Sequence, residues 1–138
     1  MVSNSIITNS GKSILIYRGY TENGDLSATE YLAPTQFKVG INQADVTTSD
    51  NDLTSPVIIS GADYVKDFVS GYPTFDYSNG EVTIRCYLST SEANGNDINA
   101  IGIFNEDSSP LMSFVSKFTA ESKSSSDEFV FVIKNRII

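Results

Sequence analysis

The chain has no histidine, no tryptophan and a single cysteine, and only 19% of its residues are charged. Each shortage closes a class of chemistry. Without histidine, His-dependent catalytic triads and the common His/Cys zinc sites are shut. Cys86 has no partner for an internal disulfide, which fits folding in a reducing compartment. No apolar run approaches the ~20 residues of a membrane span. The opening Met1-Val2-Ser3-Asn4-Ser5 lacks the basic start of a signal peptide, and Ile14-Leu15-Ile16 is too short for its apolar core. Basic residues are scarce as well, 9 against 17 acidic, for a net charge of −8. A nucleic-acid-binding surface must neutralise phosphates with Lys and Arg, so neither nucleic acid nor an anionic membrane is an expected partner. The acidic balance favours solubility instead.

What is present points to strands. A length of 138 residues suits one domain, and the chain carries 7 Tyr and 8 Phe. Ser, Thr and Asn are frequent, which suits strands with a hydroxyl-rich outer face. The clearest stretch is Gly80–Phe104. Val82, Ile84, Cys86 and Leu88 alternate strictly with Thr83, Arg85, Tyr87 and Ser89, the period of a strand with one dry face. Cys86 falls on the dry face, where a thiol behaves as an inert small hydrophobe. Asn94-Gly95 is a tight-turn signal, and Ile98, Ile101 and Ile103 mark a second run. This predicts a central β-hairpin.

Around it, residues 1–10 read as an N-terminal arm and 134–138 as a C-terminal one. The spacing favours a helix over Gly11–Arg18, capped by Asn9-Ser10 and ended by Gly19, with a strand over Ser13–Tyr17 as the alternative. Gly11-Lys12-Ser13 has the look of a phosphate-binding loop, but Ile6 stands where the motif needs its first glycine. Gln36–Ile41 is a strand whose Gly40 signals a bulge or a close backbone approach. Residues 42–55 form a long irregular stretch in which Asp45, Asp50 and Asp52 stand among hydroxyls and an amide. Their spacing does not match an EF-hand, and a solvated acidic loop, suited to contact with a partner, is the expectation; cation binding is left open. Pro56–Ser60 is a short buried run, and Tyr64–Val69 fits helix or strand. Thr74–Tyr77 should pair with Glu81–Arg85.

Leu111–Phe118 carries Met112, Phe114 and Phe118 on one face and Leu111 and Val115 on the other. A Ser-rich connector, Glu121–Asp127, leads to Glu128–Ile133, again apolar on both faces. The expected architecture is mainly β: an antiparallel β-sandwich or partly open barrel with one short N-terminal helix. Strands apolar on both faces need two covers, which predicts a homo-oligomer or docking on a larger neighbour.

No catalytic, cofactor or metal residues are assigned. The carboxylate pairs Glu106/Asp107, Asp127/Glu128 and Asp50/Asp52 all sit in polar turns or loops, not in the burial that tunes a catalytic acid. The candidate protein-interface residues are Arg85 and Tyr87, on the outward face of the central strand, and the terminal Arg136, Ile137 and Ile138.

Several short segments together resemble one family. Glu92–Asn105 carries an Asn-Gly turn, then a strand ending Gly-Ile-Phe, then an acidic turn. Phe37-Lys38-Val39-Gly40, Asp50-Asn51-Asp52-Leu53, Lys117 and Ile7-Thr8-Asn9-Ser10-Gly11 add to it, while residues 20–35 have no counterpart. In these features the chain resembles small tail and tail-fibre-associated proteins of bacteriophages. The resemblance implies a non-enzymatic virion structural protein assembled in the host cytoplasm, with copies of itself and neighbouring virion proteins as partners. A carbohydrate- or receptor-binding module on the virion surface is the alternative, since seven tyrosines and polar loops suit sugar recognition.

Overall fold

The computed structural model describes residues 4–20 and 29–136. In chain order these form β1 (Asn4–Ile7), α1 (Asn9–Tyr20), β2 (Gln36–Gly40), β3 (Lys66–Asp67), β4 (Thr74–Asp76), β5 (Glu81–Leu88), β6 (Asn96–Phe104), β7 (Met112–Lys123) and β8 (Phe129–Arg136). Two antiparallel sheets result, a larger one in the order β1-β7-β6-β2-β3 and a smaller one in the order β4-β5-β8. The protein is a mainly β, sandwich-like fold rather than a closed barrel.

Alternation builds the space between the sheets. Ile84, Cys86 and Leu88 of β5 and Ile133 of β8 point inward from the small sheet. They meet Phe37 and Val39 of β2, Ile98, Ile101 and Ile103 of β6, and Phe114 of β7. Two of these strands keep their inward residues in phase only through irregularities. The β6–β7 register shifts between Ile98 and Ala100, so that Ile98 and Ile101 both reach the core despite their odd spacing. A second shift leaves Ser113 unpaired in the ladder, with Ile103 opposite Phe114 and Phe104 opposite Met112. Met112 is thereby turned onto the opposite face from Phe114, where it packs with Val115. The sequence pattern had placed Met112 and Phe114 together, because it assumes an unbroken period of two.

The second face of the large sheet is covered from within the chain. Val46 and Leu53 of the 42–55 segment pack on Ala100, Phe104, Met112 and Val115, with Ile6 beside them. Gly40 permits this, as expected from its place in the strand: an added Cβ would stand 3.0 Å from the Ser55 carbonyl oxygen. The helix covers the adjoining part. Thr8, not Asn9-Ser10, is its cap; the Thr8 hydroxyl accepts from the Gly11 N–H at 3.0 Å and donates to the Met112 carbonyl. The helix runs through Gly19 to Tyr20, since an exposed glycine costs a helix too little to stop it.

Several expectations change accordingly. Residues 4–7 are not an arm; they form an edge strand paired with β7, Ile6 opposite Val115. Residues 134–136 complete β8, with Arg136 opposite Glu81. The Gly80–Phe104 stretch is not a hairpin, because β5 and β6 lie in different sheets. Its connection is held by Glu92, which accepts from the Ser89 N–H at 2.8 Å, and by the Ala93 N–H on the Ile59 carbonyl at 2.9 Å. Ala93 and Gly95 take the positive φ angles, 55° and 83°. The β4–β5 hairpin forms as read, with Asp76 opposite Glu81. Pro56–Ser60 forms only isolated bridges, Pro56 to Gly40 and Ser60 to Asp63, although Val57 and Ile59 are buried. Glu121–Lys123 extends β7 instead of opening a connector. Finally, the Met112–Val115 stretch of β7 is buried on both faces inside one chain, so that stretch needs no second subunit.

Candidate interaction surface

The outer face of the small sheet carries the residues singled out from the sequence. In the β5–β8 ladder Thr83 is opposite Lys134, Arg85 opposite Val132 and Tyr87 opposite Val130. Arg85 is exposed, and Tyr87 is half-buried. Val130 and Val132 stand out of the ladder with 46% and 54% of their surface open, a short apolar stripe without cover. Tyr87 is anchored, not free. The Lys66 ammonium lies 5.0 Å from its ring centre, donates to its carbonyl at 2.8 Å, and pairs with Glu92 at 2.6 Å. Loss of hydration, then the nearby carboxylates of Glu128 and Glu92, push the Tyr87 phenol above its ordinary pKa. Burial opposes ionisation of Glu92, but the hydrogen bonds from Lys66 and Ser89 hold its carboxyl below the ordinary range.

Arg136 lies at the far end of the same sheet and donates from Nε to the Asn79 carbonyl at 3.1 Å. It is thus tied to the β4–β5 turn and lies at the opposite end of the sheet from Tyr87. Ile137 and Ile138 lie outside the described residues. At the free edge of β4, the Phe75 and Tyr77 rings stack at 5.8 Å with an interplanar angle of 13°. Both are open to solvent, 59% and 87%. Asp76, between them in sequence, accepts from the Asn79 amide at 2.7 Å, which holds its carboxyl below the ordinary value. Sequence reading used this pair only as strand residues.

Along its other side the sandwich is open. There the free edge of β8 faces the edge formed by β1, across a groove of about 630 Å³ that runs from Ile6 and Ile7 to Val132–Arg136. A second depression of about 450 Å³, lined by Phe118, Glu121 and residues 128–131, continues along the same edge.

The carboxylate pairs are used as structural ligands for the chain itself. Asp107 accepts the N–H groups of Tyr31 and Leu32 at 2.9 and 3.0 Å, and Glu106 accepts from the Thr35 hydroxyl at 2.7 Å. Asp127 binds the Ser124 hydroxyl and N–H, which lowers its pKa. The acidic loop disperses its charges: Asp45 pairs with Lys117, Asp52 with Lys38, and Asp50 accepts from Thr47. Among the described residues no group of three or more His, Cys, Asp or Glu side chains could hold a metal ion, and no helix is long and apolar enough to cross a membrane.

Lys123 and Asn105 are among the buried polar residues that escaped the sequence reading. Lys123, 2% exposed, donates from Nζ to Asn94 at 2.7 Å and to the Ser124 carbonyl at 3.1 Å. Asn105, fully buried, accepts from the Leu111 N–H and donates to the Leu32 carbonyl. Both organise loops, and neither type announces burial by its sequence context. The chain matches no known protein-family model, no curated protein and no solved structure.

Proposed function

We propose that the protein is a non-enzymatic bacteriophage virion structural component, part of a tail, baseplate, fibre attachment or collar, acting through protein–protein contacts. The observation that carries the assembly role is the open side of the sandwich: an eight-residue strand with a free edge, two bare valines within it, and grooves along its length. Edges of that length are where β proteins add strands from partners. The phage assignment comes from the sequence resemblance. Mass spectrometry of purified particles tests it: the chain should be a stoichiometric component, and deleting Arg136–Ile138 should reduce its incorporation. Absence of the chain from mature particles would refute the proposal.

One observation favours a second reading, a carbohydrate- or receptor-binding module. The exposed Phe75–Tyr77 stack beside Asp76 and Asn79 offers aromatic faces next to hydrogen-bonding groups. Binding to a glycan array that Phe75→Ala and Tyr77→Ala abolish would support this reading, and no binding at high protein concentration would remove it.

A further inference from the structure

We propose that β8 is a self-pairing edge: two copies join antiparallel through Glu128–Lys134, in a register centred on Phe131, to make one continuous six-stranded sheet. This deepens the assembly role by naming a partner, a second copy of this chain.

Backbone direction comes first. The Arg85 carbonyl accepts from the Val69 N–H at 2.9 Å, and the Tyr87 carbonyl accepts from the Lys66 ammonium. The odd-numbered residues of β5 therefore turn their backbone groups away from β8, and its even-numbered residues turn theirs toward it. Ile84, Cys86 and Leu88 are opposite Ile133, Phe131 and Phe129. It follows that these three β8 residues spend their N–H and C=O groups on β5. Val130, Val132 and Lys134 present theirs to the free edge. The same residues carry the exposed side chains of the outer face.

Register comes from the side chains. A two-fold pairing that keeps the faces continuous must be centred on a residue. Centred on Phe131, it sets Val130 against Val132 of the second copy, Phe129 against Ile133, Phe131 against its own copy and Glu128 against Lys134. Each of the unlike pairs occurs twice. Apolar residues meet apolar ones, and the charges meet with opposite sign at both ends. Centring on Val132 would set Lys134 against Val130, and centring on Ile133 would set Lys134 against Val132 and Arg136 against Val130. The inward Phe129 and Phe131, half-buried in one chain, gain cover in the grooves that border the edge.

The span allows about eight backbone hydrogen bonds, yet a single strand pair is a small contact beside the roughly 1,200 Å² of a standard stable interface. The dimer is therefore weak and concentration-dependent in solution. Sedimentation of the full chain across micromolar to submillimolar concentrations reads it. Val132→Pro removes an N–H that does not bond to β5, so it should leave the fold intact and abolish the dimer. Glu128→Lys and Lys134→Glu are exposed changes that should each weaken dimerisation by roughly tenfold, and the double variant should restore it. A chain that stays monomeric at every concentration would overturn the proposal. So would a dimer indifferent to these changes, or one rescued instead by exchanging Glu128 and Arg136, which marks the Val132 register. Absence from particles would remove the virion role and leave this result standing; a monomer would remove the pairing and leave particle membership open.

Discussion

The helix docks through a single atom's worth of space, and one substitution made at two places tests that. At Gly11 an added Cβ would stand 2.2 Å from the Ser113 carbonyl oxygen and 2.9 Å from its carbon. Both are backbone atoms of β7, so no rotamer change relieves the clash, and the overlap is roughly 1 Å. For Gly11→Ala, α1 must lift off β7, which strains the Thr8 cap and the Thr8 N–H bond to the Ser113 carbonyl at 3.1 Å. Overpacking of this kind costs about 1–3 kcal/mol and a lost cap about 1 more. The favourable Gly-to-Ala helix term returns about 1 kcal/mol, which leaves a net loss of about 1–3 kcal/mol. At about 3–4 °C per kcal/mol for a chain of this size, the melting temperature should fall by about 3–12 °C. At Gly19, in the same helix, an added Cβ would meet nothing within 4 Å. Gly19→Ala should therefore raise the melting temperature by about 2–4 °C. Circular dichroism melts of the two variants decide it. A Gly11→Ala protein as stable as its parent, or a Gly19→Ala protein destabilised like it, would refute the docking geometry.

Leu53→Ala should cost about 2–5 kcal/mol in a urea titration, because the buried Leu53 lies across Gly40 and Gly102 and fastens the 42–55 cover to the sheet. The Cys86 thiol, pushed up by burial to about 12, should stay unreactive toward a thiol reagent near pH 8 until denaturant exposes it. The unfolded thiol loses its proton first, so its contribution to stability is intact below the ordinary value of 9.0 and declines as pH rises from there toward about 12. Prompt labelling of the native protein would show that β5 is not covered.

Local periodicity told which residues form strands; it could not tell which strands pair. β5 alternates cleanly because one face meets the core, and Ile84, Cys86 and Leu88 are buried where the pattern placed them. β6 is equally apolar, and its inward residues meet that same core from the opposite sheet. An apolar face toward a common core is therefore the same signal for a hairpin and for a crossover. What separates them is the connection, where the hydrogen bonds of Glu92 and Ala93 replace a tight turn. Residues 4–7 were misread for a related reason. Asn4–Ile7 is short and partly polar because it is an edge strand, and an edge needs only one good partner.

The candidate surface was legible in part. Arg85 and Tyr87 were picked because alternation put them outside, and they do lie on the outer face, one column in from the free edge. The expectation that both faces of two strands needed a second subunit divides differently. β7 is satisfied by Val46, Leu53 and α1, supplied by segments distant in sequence whose packing no local pattern encodes. β8 has one partly covered face and one bare one: its phenylalanines are half-buried, while Val130 and Val132 stay open. The argument for association therefore shifts from missing cover to a missing neighbour in the ladder. A β-branched residue favours a strand whether or not it is covered, so the valines hold β8 extended and present its unspent backbone groups along one line. Glu128, just before β8, and Lys134 near its far end decide which neighbour fits. Glu128 and Lys134 suit a reversed copy of the same strand, whereas shifted registers leave Lys134 against a valine, which is how a single edge can be both protected from indiscriminate pairing and open to one specific partner.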